Sequence, residues 1–328
     1  MIRFSAFSLA LLLAAGSAHA TPERLQDEFV QDMVNSHQFD AAELQRLLED
    51  ARVRKPILEA IARPAEKRLN WGQYRKIFLT KDRIRGGLKF WAENEQALAR
   101  AAEEYGVPPQ IIVAIVGVET RYGRHTGKFP VLDALYTLGF HYPPRGKFFR
   151  SELSHFLRLA REEGLDPRQP VGSYAGAMGR PQFISSSFRA YAVDFDGDGK
   201  RDIWDNNDDV IGSVANYFAR HGWRAGEPVT QRVQGVNGEH EALIEAGYKP
   251  HTTVGQLQQT GVQLNAPLPE ALQTSLLALE TDKGMQHWLG LPNFYVITRY
   301  NHSPLYAMAV FQLSEAIHSL RTRTAQVD

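Results

Sequence analysis

Cysteine is absent from all 328 residues. The chain must therefore hold its fold by packing or by a bound metal rather than by disulfides, and it has no N-terminal cysteine on which a lipid could be carried. Charge of one sign is also missing: 37 basic side chains offset 37 acidic ones and no long single-sign run occurs, so nothing in the composition points to a nucleic-acid or anionic-membrane partner. No internal repeat, low-complexity tract, G-x-S-x-G elbow or Walker loop is present. His240 and Glu241 begin an H-E pair, but position 244 is Ile, which disfavours zinc peptidase chemistry. What remains is 43% hydrophobic and 23% charged, ordinary for a globular protein long enough for two domains.

Residues 1–20 carry Arg3, an apolar run from Phe4 to Ala15 and the small-residue ending Ala18-His19-Ala20. That is the pattern of a secretory signal with an A-x-A cleavage site, and its run is too short to span a bilayer. A mature chain starting at Thr21, without a membrane anchor, in a bacterial periplasm is the expectation.

Residues 21–90 read as a helical N-terminal domain interrupted at Pro56 and Pro64, and residues 91–225 as a helical core whose turns are marked by glycine. PVTQRVQG, residues 228–235, alternates as a strand does, so residues 226–290 form an expected small mixed or β insertion. Residues 291–328 return to helix, and the apolar SPLYAMAVFQLSEAIHSL, residues 303–320, needs a large partner to pack on. The fold class is mainly α.

IIVAIVGVETRYG, residues 111–123, carries one carboxylate, Glu119. On a helix it shares a face with Ile112, Ile115 and Val116, the face a domain would bury. Apolar surroundings disfavour the ionised form, so Glu119 is a candidate general acid. The alternative is a structural Glu paired with Arg121 or Arg124.

AVDFDGDGKRDIWD places Asp194, Asp196 and Asp198 at alternate positions ahead of Gly199, the first half of an EF-hand-like calcium loop, with the Lys200 carbonyl at its seventh position. The usual twelfth position is Asp205, one methylene shorter than the customary Glu. Asp208 and Asp209 follow and are alternatives for closing the site. A structural role for Ca²⁺ is expected, with no organic cofactor. SYAGAMGRPQFISSSF, residues 173–188, is dense in small residues that let backbone approach a ligand or a helix. In TRYNHSPLY, residues 298–306, Asn301 is either a satisfied amide or a ligand to substrate. Trp71 and Tyr74 can face a cleft or a core.

VGVETRYGRHTGKF, LDALYTLGFHYPPR, SYAGAMGRPQFISSS, the Asp-rich loop with IGSVANYFARHGW, and TRYN together resemble the lytic murein transglycosylase B family of bacterial wall lyases, over nearly the whole mature chain. The resemblance implies a lysozyme-like helical core and cleavage of the MurNAc-β-1,4-GlcNAc bond of peptidoglycan glycan strands with 1,6-anhydro-MurNAc ends. Glu119 matches the single catalytic acid/base. Ser173, Gln182, Tyr217, Asn301 and Tyr306 match cleft-lining positions, with Tyr74 and Arg145 at its outer reaches. Asp194, Asp196, Asp198, the Lys200 carbonyl and Asp209 match the calcium ligands. One extra residue before the helix at Ile211 departs from the family pattern and leaves Asp205, Asp208 and Asp209 open. Wall-synthesis or wall-remodelling proteins are possible partners. Two rivals remain: a calcium-stabilised peptidoglycan-binding protein without catalysis, and a hydrolytic muramidase using a second carboxylate such as Asp133 or Glu152.

Overall fold

The computed structural model describes residues 21–62 and 69–325; the expected signal segment and Pro64 lie outside them. By its internal contacts the chain divides between Asp50 and Ala51. In the first unit, α1 (Pro22–His37) and α2 (Ala41–Asp50) pack on each other through Phe29, Met33, Leu44 and Leu48. Thr21 caps α1 by accepting from the Arg24 N–H at 3.4 Å.

The second unit begins with α3 (Lys55–Ala62), α4 (Trp71–Phe78), α5 (Lys81–Glu93), α6 (Glu95–Tyr105) and α7 (Pro109–Thr120). It continues with α8 (Val131–His141), α9 (Gly146–Glu162), α10 (Ser185–Tyr191) and α11 (Asn207–Arg220), then two short helices, α12 (Glu241–Glu245) and α13 (Val254–Gln259). It closes with α14 (Pro292–Tyr300) and α15 (Pro304–Ala325). Residues 71–90, expected to belong with the N-terminal helices, lie in α4 and α5, which pack on α15.

Helix α7 is the centre of this unit. Pro109 starts it, where a missing N–H costs nothing, and eight consecutive residues from Ile111 to Val118 are buried. The sequence pattern predicts one buried face; the structure buries both, because α5, α6, α11 and α15 surround the helix, the arrangement expected of a helix that is apolar all round. At about 1.5–3 kcal/mol for each large aliphatic side chain removed from water, Ile111, Ile112, Ile115 and Val116 make α7 the element the others are fitted to.

β1 (Phe129–Pro130) and β2 (Val171–Gly172) form a short antiparallel pair beside the end of α7. The expected insertion is a five-stranded antiparallel sheet of β3 (Thr230–Gln234), β4 (Thr252–Thr253), β5 (Gln263–Leu264), β6 (Gln273–Thr281) and β7 (Gly284–Gly290), ordered β4-β6-β7-β3-β5. It has its own apolar cluster, including Val233, Leu257, Leu276 and Leu289. The β6–β7 turn docks on α4, where Lys76 pairs with Asp282 at 2.8 Å. No described helix is long and apolar enough to cross a membrane.

Candidate active site and metal loop

Glu119 occupies the last turn of α7 and keeps partial exposure while its neighbours Val118 and Thr120 are buried. The chain leaves the helix through two consecutive left-handed residues, Arg121 (φ 50°) and Tyr122 (φ 61°). Gln182 (φ 53°) is a third non-glycine residue of this kind. Such backbone persists only where the surroundings enforce it and concentrates at functional sites. Here three of the four examples among the described residues lie at one end of α7, Gln182 being joined to it through Thr126.

Glu119 has no ion pair with Arg121, Arg124 or any other described residue, so the structural alternative for it does not hold. Its partner is the hydroxyl of Tyr306, which donates to Oε1 from α15, 187 positions away in sequence. Ser303 sets that helix start by accepting from the Tyr306 N–H at 3.3 Å. Burial pushes the Glu119 carboxyl up to about 7, against a smaller opposing effect of the Tyr306 hydroxyl. A carboxyl so placed holds a proton near neutrality and is able to give it up, the requirement for one residue to act as acid and then as base. No other carboxylate acts on it. Asp133 is engaged by Arg54 at 2.7 Å, and Glu152 accepts from the Ser186 N–H at 2.9 Å.

The wall facing Glu119 is built from α14, α15 and residues 172–183. Tyr300 is close enough for Glu119 to raise its phenol electrostatically, and its hydroxyl donates to the Pro181 carbonyl at 2.6 Å. Gln182 donates from Nε2 to the carbonyls of Thr126 at 3.0 Å and Gly179 at 2.9 Å. Ser173 Oγ accepts from the N–H groups of Ala175 at 3.3 Å and Ala177 at 3.0 Å. The small residues of this stretch are required by closeness of backbone. A Cβ on Gly127 (φ 99°) would lie 2.0 Å from the Gly172 carbonyl oxygen and 2.5 Å from the Ser173 nitrogen. Asn301 is exposed and its side-chain amide has no hydrogen bond among the described residues, which leaves it free for a ligand.

Three expected cleft residues differ from their simplest reading. Tyr217 is 7% exposed and its ring is already stacked on His221 at 4.0 Å and packed on Tyr300 at 4.8 Å. With its hydroxyl given to the Arg299 carbonyl at 2.6 Å, it braces the wall and offers no open face to a sugar. Tyr306 is likewise 3% exposed and acts on Glu119 through its hydroxyl. Arg145 is exposed over the rings of Phe148 at 4.4 Å and Phe149 at 5.2 Å, and none of its polar or ring contacts reaches Glu119 or residues 173–183. Tyr74 stays with the group, near enough to Tyr306 to influence its phenol. Among residues outside the expected set, Tyr300 is the one that touches the site most closely. Its place in TRYN, beside Asn301, was the available signal, but a phenol's direction is not written in local spacing.

In the Asp-rich loop, carboxylate oxygens of Asp194, Asp196 and Asp209 lie within 4.8 Å of one another. The positive φ angles of Gly197 (81°) and Gly199 (89°) turn the loop around them. Asp209, in the first turn of α11, is fully buried. Its two oxygens accept from the Phe195 and Asp202 N–H groups, both at 2.7 Å. Asp208 instead faces Arg100 at 3.8 Å, and Asp205 stands outside the cluster. The one methylene by which Asp205 falls short is supplied by the fold, which brings Asp209 from the next helix. Asp198 Oδ1 accepts from the Lys200 N–H at 2.9 Å and is not part of the converging trio. Asn206, also outside the expected set, donates to Asp196 at 2.7 Å. Three like charges converging with no basic side chain among them, all hard oxygens, suit Ca²⁺ or a similar hard cation.

A family model described as the transglycosylase SLT domain matches residues 22–315. Membrane-bound lytic murein transglycosylase B of Escherichia coli (strain K12) is 46% identical over 305 residues, 90% of this chain and 83% of that protein. The crystal structure of the soluble lytic transglycosylase SltB1 from Pseudomonas aeruginosa superposes with a TM-score of 0.87 at 50% identity, covering 90% of this chain and 98% of that one. The Escherichia coli lytic transglycosylase Slt35 in complex with calcium superposes with a TM-score of 0.83 at 46% identity, covering 91% and 94%. With a half-buried carboxyl at the end of a central helix, and with sequence and fold similarity over nearly the full chain, the protein belongs to the transglycosylase SLT domain family, among the lytic murein transglycosylases.

Proposed function

We propose that the protein cleaves the β-1,4 bond between N-acetylmuramic acid and N-acetylglucosamine in peptidoglycan strands, leaving 1,6-anhydro-muramic ends, with Glu119 as its single acid/base. The observation that carries this reading is the Glu119 carboxyl, raised to about 7 by burial and hydrogen-bonded, among the described residues, only by the Tyr306 hydroxyl. Protonated Glu119 donates to the leaving glycosidic oxygen as positive charge develops at the muramic C1. The substrate's N-acetyl oxygen stabilises that charge, since no other carboxylate among the described residues acts on Glu119. Ionised Glu119 then takes the proton of the muramic C6 hydroxyl, whose oxygen closes onto C1. Tyr306 stabilises the carboxylate between the two steps. Ser173, Gln182 and Asn301 orient the glycan, with Tyr74 further along the cleft, while Tyr217 and Tyr300 hold the wall.

Calcium is the cation proposed for the loop, on carboxylates of Asp194, Asp196 and Asp209, with Asp198 and the Lys200 carbonyl as further oxygens. It ties the loop to the first turn of α11 and takes no part in the chemistry. The periplasm is the compartment that suits this substrate and the secretory pattern of residues 1–20.

Mass spectrometry of soluble products from murein sacculi tests the reaction, with wild type and Glu119→Gln compared side by side. Products one water lighter than hydrolytic muropeptides, seen only with wild type, are expected. Hydrolytic products would overturn the lyase reading, and no product from wild type would favour a binding module.

A further inference from the structure

Arg83, in the first turn of α5, is 7% exposed, yet its Nε and Nη1 are buried without a hydrogen-bond partner. Its guanidinium lies over the Phe78 ring at 4.9 Å. That contact does not satisfy buried N–H groups, and leaving such groups unpaired on an ion is unfavourable. No carboxylate among the described residues pairs with this charge. The groups that act on it are Arg121 and the Tyr122 phenol, and Arg121 adds to the positive field.

Arg83 lines a cavity of about 250 Å³ together with Thr80, Asp82, Gly86, Arg121, Tyr122 and Arg124. Three guanidinium groups therefore share one cavity, against a single carboxylate, the exposed Asp82. The N-terminus of α5, capped by Thr80, adds the positive end of a helix dipole and free first-turn N–H groups. Arg121 and Arg124 are exposed and make no ion pair among the described residues. The three guanidinium groups at this cavity lack a balancing acid, so a ligand that neutralises them must accept N–H bonds and carry negative charge. A water molecule meets the first requirement only.

We infer that the cavity lined by Arg83, Arg121 and Arg124 is an oxyanion-binding site, built to take a carboxylate or phosphate group at the turn that follows Glu119. Guanidinium groups are suited to both, since each presents parallel N–H donors to two oxygens. Occupancy supplies a counter-charge to the buried Arg83 guanidinium and fixes Arg121, the first left-handed residue beyond the end of α7. The two sources of such a group are a free inorganic anion and a peptide carboxylate borne by the glycan; the second rests on the substrate proposed above.

The test is calorimetric titration of the full chain at constant ionic strength, balanced with sodium chloride. The ligands are inorganic phosphate, an N-acetylated dipeptide with a free C-terminal carboxylate, and the same dipeptide as its amide. Saturable binding of phosphate alone supports the site and assigns it to a free anion. Binding of the free-carboxylate dipeptide but not its amide supports it as a peptide subsite. Arg121→Asn with Arg124→Gln should weaken either by at least about tenfold, the loss expected for charge-assisted hydrogen bonds; Asn tolerates the left-handed backbone at position 121. As a second reading, phosphate should raise the Tm of wild type above its value in chloride and leave that of Arg83→Met unchanged. No binding beyond chloride, equal affinity in the double variant, or an equal rise in Tm in Arg83→Met would overturn the inference. Neither readout depends on catalysis, so failure of the lyase reading leaves this test intact.

Discussion

Replacing Glu119 by Gln should stabilise the protein at alkaline pH while abolishing its activity. Burial raises the carboxyl from 4.5 to about 7, so between those values the folded state binds a proton that the unfolded state has lost. Stability therefore falls as pH rises through this window and stays lowered above it. At about 1.4 kcal/mol per pH unit, the full gap is worth about 3 kcal/mol at pH 8 and somewhat under 1 kcal/mol at pH 5. Gln has no proton to lose and its amide oxygen still accepts from the Tyr306 hydroxyl, so the variant escapes this cost. Its advantage over wild type should thus grow by about 2.5 kcal/mol from pH 5 to pH 8. For a chain of this size that is on the order of 5 °C in Tm. Thermal melts of both proteins at the two pH values, in one buffer system of fixed ionic strength, measure it. The partial exposure of Glu119 makes the figure a ceiling. A difference in Tm that is the same at pH 5 and pH 8, or a Gln variant less stable at pH 8, would refute the claim that burial sets this carboxyl.

Tyr306→Phe removes the one hydrogen bond that favours the carboxylate, so the Glu119 value rises further and the alkaline limb of kcat/KM moves to higher pH. Loss of a bond to a charged group, about 1.5–3 kcal/mol, should cut turnover by about 10–100-fold, and an unmoved limb would show that the bond does not tune Glu119. In the metal loop, calcium at about 100 times its Kd should add about 2.7 kcal/mol of stability. Asp196→Asn should lose much of that gain, read as the difference in melts with calcium and with a chelator; an undiminished difference would remove Asp196 from the ligands. Gly127→Ala, whose Cβ would meet the Gly172 carbonyl at 2.0 Å, should cost upwards of about 3 kcal/mol by strain and close overlap. It should also displace Ser173, seen as a raised KM at temperatures where the variant stays folded.

The parts of this protein that its sequence determined are those where chemistry is encoded within a few residues. On a helix, the apolar run 111–118 puts Glu119 on the face of Ile112, Ile115 and Val116, so it was legible as a carboxyl in apolar surroundings. Alternating aspartates with glycine turns marked a loop whose carboxylates converge in part, and period-two alternation over 228–235 marked what became β3. The β6–β7 hairpin was less visible, because β6 is buried over four consecutive residues, Thr274–Leu277, and β7 is exposed or half-buried over most of its length, so neither carries a clean alternation. Tertiary structure alone decided which groups meet. Tyr306 reaches Glu119 across 187 positions because α15 packs along α7. Asp209 rather than Asp205 or Asp208 joins the loop because α11 begins where its first turn faces Asp194 and Asp196. Tyr217, a cleft-lining position by motif, is packed into the wall, and Arg83, unremarkable in the sequence, has two buried N–H groups without a hydrogen bond beside a basic cavity. Side-chain direction and burial depend on elements far apart in the chain, and no local spacing specifies them.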